Sequence, residues 1–188
     1  MKVAYFHIDF PHSEAELSRA LAVKSIASVR KNMPAATIVH ATNYGTKAFE
    51  VDEVVRHHHD AQLLPQSGFN RADIQATIAG DVLFLDTDTL LLRDVSDVFT
   101  HEFDIAVAMP REDEFNQGVV FSRRPEFWTN VAEEARRQKR YSEKAFSDVV
   151  RSGKYKVRVL AAEYNYPPPP DLAVMHFKGR RKNLMWAM

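Results

Sequence analysis

The chain predicts an α/β fold with a mostly parallel, twisted sheet flanked by helices, and three observations lead there. Short runs rich in Val, Ile, Leu and Phe alternate with helical apolar stripes along its whole length, the pattern of strands buried on both faces between helices. The run Val82-Leu83-Phe84-Leu85 stops abruptly at Asp86-Thr87-Asp88, so a buried strand surfaces into carboxylates at the end where open α/β sheets place ligands. Pro34, Gly80, Pro125 and Gly153 punctuate the runs where helices start or stop.

The elements follow in order. Residues 3–8 read as a buried first strand. Ser13 with Glu16 forms a capping box for a helix, whose stripe is Ala15, Ala22, Ile26, Val29 and Met33, and Pro34 ends it. Strands are predicted at 36–40 and 50–56. Asn70 caps a short helix carrying Ile74 and Ile78, with Gly80 as its stop. The carboxylate strand comes next, then a second apolar run at 89–92 and a turn-like helix at 95–99. Strands follow at 104–108, ended by Pro110, and at 119–122. Pro125 opens a helix whose face is Trp128, Val131, Ala132 and Ala135 and whose charged tail runs to Arg140. A second helix, 142–152, turns Ala145, Phe146, Val149 and Val150 inward, with Gly153 as cap. A strand at 157–160, a rigid proline break at 167–170, a short strand at 174–177 and a basic tail complete the chain.

Composition narrows the function. The 188 residues, 45% hydrophobic and 27% charged, suit one soluble domain over 1–188. A net charge of +0 gives no strong nucleic-acid signature. The absence of cysteine excludes disulfides, thiolate metal sites and Cys nucleophiles. No apolar run has the length of a transmembrane segment, and the N-terminus does not read as a signal peptide. A cytoplasmic location is therefore expected. The triplet His57-His58-His59 alternates sides of a strand and does not converge on one ion. Arg136-Arg137-Gln138-Lys139-Arg140 reads as a solvated helix end, where cations suit the dipole.

Asp86 and Asp88 are the candidate chemistry. Their i, i+2 spacing puts both carboxylates on one side of an extended backbone. Like charges held together call for something positive between them, and a hard divalent cation with phosphate co-ligands answers that need.

The segment Leu83-Phe84-Leu85-Asp86-Thr87-Asp88 resembles the DxD motif of the GT-A glycosyltransferases, and most of all glycosyltransferase family 8. Arg71 before the DxD strand, Phe115-Asn116-Gln117-Gly118-Val119-Val120, Glu163-Tyr164-Asn165-Tyr166 and His176-Phe177-Lys178-Gly179-Arg180-Arg181-Lys182 match that family in order. The resemblance spans roughly 71–182. It implies a GT-A fold and a metal-dependent, retaining hexosyltransferase that uses Mn²⁺ (or Mg²⁺) and a nucleotide-sugar, a UDP-hexose. Asp86, Asp88 and His176 would ligate the metal. Lys182 would stabilise the departing diphosphate, with Arg71 beside it, and Gly179 would let backbone approach phosphate. Asn116, Gln117 and Asp148 would orient sugar or acceptor, with Gly118 leaving room. Asp9 and His7 end the first strand beside the expected nucleotide pocket, and Asn165 reads as a loop-holding residue.

The chain departs from the family in places. Phe146-Ser147-Asp148 stands where members carry D-Q-D, so Ser147 replaces the Gln. Asn183-Leu184 replaces a Pro-Trp, with Trp186 displaced. The chain is short for the family, which implies a thin acceptor-binding part or one supplied by a partner. The acceptor stays open among glycan, lipid-linked sugar, protein side chain and modified base. Two alternatives stand beside this reading. Asp86-Thr87-Asp88-Thr89-Leu90 also fits the D-x-D-x-T start of haloacid-dehalogenase phosphatases, with Asp86 as nucleophile. The missing Gln fits a non-catalytic domain that binds nucleotide-sugar or glycan.

Overall fold

The computed structural model describes residues 1–9, 15–58, 71–108, 115–139, 143–165, 172–177 and 181–187. Its centre is a seven-stranded sheet of β1 (Lys2–Phe6), β2 (Thr37–Asn43), β3 (Glu53–His57), β4 (Val82–Leu85), β6 (Ile105–Ala108), β7 (Val119–Ser122) and β8 (Val157–Leu160), in the order β3-β2-β1-β4-β7-β6-β8. A second sheet pairs β5 (Thr89–Leu91) with β9 (Val174–His176). The helices are α1 (Ala15–Asn32), α2 (71–75), α3 (Pro125–Arg137), α4 (Glu143–Arg151) and α5 (Lys182–Ala187). The expected fold class is what the structure shows. β1 pairs in parallel with β2 and β4, β2 with β3, and β6 with β8, while β7 runs antiparallel to both its neighbours.

Period-two alternation explains how so small a sheet covers both faces. Val3, Tyr5, Leu83, Leu85 and Phe121 turn to one side, where Ala22, Ile26 and Val29 of α1 meet them. Ala4, Val82, Phe84 and Val120 turn to the other, against Ile74 of α2, Trp128 of α3 and Phe146 of α4. The second layer is aromatic. Phe84 meets Trp128 edge-on at 5.0 Å between ring centres, and Phe127 meets Phe146 edge-on at 5.5 Å.

Boundaries differ from the sequence reading for physical reasons. β2 continues to Asn43, because its polar residues are buried with partners: Thr42 Oγ1 donates to the His7 carbonyl at 2.6 Å and His40 Nε2 lies 3.3 Å from the same oxygen. β1 stops at Phe6, where the chain turns toward the cleft described below. β3 begins later than expected, at Glu53; just before it the Asp52 carboxylate accepts from the Ile38 amide at 2.7 Å and from Arg30. Gly80 and Gly153 take positive φ, +101° and +73°, as chain reversals before β4 and after α4 require. Ser13, His59, Asn70, Pro110, Arg140, Ser142, Tyr166, residues 167–170, Lys178, Gly179 and Arg180 lie outside the described residues.

Candidate active site

β4 delivers the acidic pair. Its hydrogen bonding to β7 carries past the last strand residue, with the Asp86 amide donating to the Gly118 carbonyl at 2.8 Å. Thr89 Oγ1 then donates to the Asp86 carbonyl at 2.8 Å and closes the turn that sets Asp88 beside Asp86. Asp88 is buried, 8% exposed, so its charge needs a partner.

The small sheet brings that partner from the far end of the chain. Thr89 of β5 stands opposite His176 of β9, and the Phe177 amide donates to the Asp88 carbonyl at 2.8 Å. His176 Nε2 comes to 3.2 Å from Asp88 Oδ1 and 3.5 Å from Asp86 Oδ2. One ligand atom from each of the three side chains falls within 4.8 Å of the others. Two carboxylates and an imidazole are a donor set that could hold a divalent cation. Among the described residues, His57 and His58 join no such group.

Two cations flank the pair. Arg71, from the first described turn of α2, lies 2.7 Å from Asp86 Oδ1 and donates to the Gln117 carbonyl at 3.1 Å. Lys182, at the start of α5, lies 3.4 Å from Asp88 Oδ2. Arg71, Asp86, Asp88 and Lys182 line a cleft of about 220 Å³, whose other wall is Phe6, His7 and Ile8 at the end of β1 and Ser18 of α1.

Other expected residues sit differently. Asn116 is buried and does not offer its amide to the cleft: Oδ1 accepts from the Gly118 amide at 2.9 Å and from Asn165 Nδ2 at 3.1 Å, and Nδ2 donates to Glu143. Gly118 leaves room not for sugar but for the His176 ring, since a Cβ there would stand 2.1 Å from its Cε1. Asp148 gives its carboxylate to Lys144 and Gln138 at 2.6 and 2.8 Å, and Ser147 is buried. Arg136 and Arg137 are exposed and pair with Asp73 and Glu134, as a solvated helix end does.

Asp9 does not line the cleft. It lies 3.0 Å from His7 Nε2 and 3.3 Å from Arg19, and accepts from the Lys47 amide at 3.3 Å. Burial holds His7 below the usual imidazole value, although Asp9 favours the charged form. Partial burial works against ionised Asp9, yet the contacts to His7, Arg19 and the Lys47 amide hold its carboxyl below the usual range. Sequence reasoning missed Glu143 and the serines of α1 that dock β5, Ser25 and Ser28. Their signal was faint: an acid opening a helix, and small polar residues on the buried side of an amphipathic one.

By sequence, the chain matches no protein family and no curated protein. By structure, its fold is that of the GT-A glycosyltransferases. Three solved structures illustrate the likeness. The galactosyltransferase LgtC, in complex with donor and acceptor sugar analogues, is 14% identical with a TM-score of 0.63 over 96% of this chain and 88% of its own. The glycosyltransferase GlyE of Streptococcus pneumoniae TIGR4 is 13% identical with a TM-score of 0.67, over 99% of this chain but 60% of its own. Mouse xyloside xylosyltransferase 1 is 10% identical with a TM-score of 0.63, over 94% and 97%. No described helix is long and apolar enough to cross a membrane.

Proposed function

We propose that the chain is a metal-dependent glycosyltransferase of family 8 character, moving a hexose from a nucleoside diphosphate, UDP by resemblance, to a hydroxyl acceptor. The observation that carries this reading is the convergence of Asp86, Asp88 and His176 at the cleft end of β4, within a GT-A fold. A bound Mn²⁺ or Mg²⁺ supplies Lewis-acid neutralisation of the diphosphate. Asp86, Asp88 and His176 would hold it. Lys182 and Arg71, already beside the acids, place positive charge where the leaving group gathers negative charge. The end of β1 at His7 and Ile8 walls the nucleotide side. Gln117, whose carbonyl accepts from Arg71 at 3.1 Å, would help orient the sugar.

In the retaining reaction, the acceptor oxygen bonds to the anomeric carbon as the bond from that carbon to the phosphate oxygen breaks. The electron pair leaves with the diphosphate, and the acceptor proton passes to a departing phosphate oxygen. No side-chain base is then required. A phosphatase role for Asp86 fits less well, because Arg71 bridges it at 2.7 Å and its second oxygen faces His176.

Calorimetric titration with a panel of nucleotide-sugars, with and without Mn²⁺, tests the reading. Metal-dependent binding of a UDP-hexose followed by slow donor hydrolysis is expected, and Asp88→Asn abolishes both while leaving the fold intact. Hydrolysis unchanged in Asp88→Asn removes the metal assignment. Tight binding without hydrolysis or transfer establishes the non-catalytic alternative.

A further inference from the structure

His176 reaches the acidic pair through one ring nitrogen while a chain of side chains, buried from His176 to Asn116 and ending at the exposed Glu143, holds the other. Nδ1 lies 2.8 Å from Asn165 Oδ1, Asn165 Nδ2 lies 3.1 Å from Asn116 Oδ1, and Asn116 Nδ2 reaches the Glu143 carboxylate. His176, Asn165 and Asn116 are each 3% exposed. The direction of this chain follows from groups whose roles are fixed. The Gly118 amide can only donate, and it points at Asn116 Oδ1 at 2.9 Å. An ionised Glu143 can only accept, and it faces Asn116 Nδ2. Both ends therefore orient the Asn116 amide the same way. Its oxygen then faces Asn165, which must answer with its NH₂ group. The Asn165 oxygen is left for His176, and Nδ1 must carry the proton to meet it.

We infer that Glu143, Asn116 and Asn165 form a one-way hydrogen-bond relay that fixes the proton of His176 on Nδ1 and turns a ligating Nε2 toward Asp86 and Asp88. The inference rests on the metal-site reading above and deepens it. Asn165 is a positioning residue: it touches neither cation nor substrate, and acts by selecting the tautomer. Without it the neutral ring gains more by placing its proton on Nε2, as a hydrogen bond to Asp88 Oδ1 3.2 Å away. That choice would block the very nitrogen a cation needs. Second partners of metal-ligating histidines commonly govern affinity in this way, by about 10–100-fold. The relay also gives the F-N-x-G and Y-N segments a shared task, since Asn116 and Gly118 come from one and Asn165 from the other.

The test uses the full chain and reads two quantities. Long-range ¹H–¹⁵N spectra of the metal-free protein report whether Nδ1 of His176 bears a proton. Titration with Mn²⁺ plus UDP reports cation affinity. Wild type is expected to show a protonated Nδ1. Asn165→Leu is expected to show a bare Nδ1 and about 10–100-fold weaker Mn²⁺ binding. Asn165→Asp keeps an acceptor at Nδ1 and is expected to recover most of that affinity, which a purely structural role would not predict. A bare Nδ1 in the wild type overturns the inference, as does wild-type Mn²⁺ affinity in Asn165→Leu. A protonated Nδ1 in a wild type that binds no Mn²⁺ instead sinks the metal-site reading, leaving the relay intact as a hydrogen-bond fact.

Discussion

A missing methyl group at Gly118 decides how close His176 comes to the acids. The hydrogen left in its place admits the imidazole, since a Cβ would stand 2.1 Å from Cε1 and 2.6 Å from Nδ1. Gly118→Ala is tolerable to the backbone, whose φ is not positive, so the ring rather than the turn must yield. Mn²⁺ affinity is expected to fall at least about tenfold, the scale of a lost ligand orientation, with far-UV circular dichroism unchanged; undiminished affinity would show that His176 is no ligand. His40 makes a second residue-scale prediction. Burial presses its imidazole down to about 4, with the nearby His7, Arg19 and Arg56 adding to the effect and the His7 carbonyl opposing it. The unfolded chain therefore takes up this proton first, near pH 6.5. Stability from neutral His40 is full above that pH and drains away as the pH falls toward 4, at up to about 1.4 kcal/mol per unit. Urea midpoints measured from pH 7 to 4 should fall through that window, and less steeply in His40→Gln.

At the scale of elements, the small sheet is what sets His176 beside the acidic pair. β5 and β9 are three residues each, too short to stand alone, and α1 holds them. Ser28 Oγ accepts from the Leu91 amide at 2.9 Å, Asn32 Nδ2 donates to the Leu91 carbonyl at 2.8 Å, and Ser25 Oγ lies 3.2 Å from Thr89 Oγ1. Replacing Ser28 and Asn32 together by Ala should cost about 1 kcal/mol for each bond lost, read as a lower urea midpoint, and should weaken Mn²⁺ binding because His176 rides on β9. An unchanged Mn²⁺ affinity would show that the sheet is anchored without α1. This sheet was only half legible in the sequence. The run at 89–92 and the strand at 174–177 both read as apolar, but nothing in two such fragments says that they pair. The same blindness covers β7: strands buried on both faces carry no mark of direction, so its antiparallel insertion between β4 and β6 could not be read. Helices fared better, because α3 and α4 each carry an apolar stripe and a Pro or Gly boundary.

For the molecule as a whole, ligand linkage offers the plainest measure. A site made of segments far apart in sequence exists only in the folded chain, so saturating it raises apparent stability. Mn²⁺ with UDP at 100 times its dissociation constant adds about 2.7 kcal/mol. At about 2–4 °C per kcal/mol for a chain of this size, the melting temperature should rise roughly 5–10 °C, and not at all in Asp88→Asn. A rise of the same size in that variant would place the cation elsewhere. The site was more legible than the topology. Carboxylates after an apolar strand announce themselves, and Arg71, His176 and Lys182 were expected beside them from the resemblance. What could not be read was allegiance: Asn116 turns inward to serve a histidine, and Asp148 turns aside to Lys144, because side-chain direction depends on neighbours remote in sequence.

The arrival of His176 on a late strand has a consequence for biosynthesis. While the chain is still emerging from the ribosome, β1 and β4 can pair with the acids in place but no imidazole to complete their trio. Arg71, which lies 2.7 Å from Asp86 in the complete fold, precedes the pair in sequence, so its counterion is translated before it. The Asp86, Asp88 and His176 group is complete only once residue 176 has cleared the tunnel.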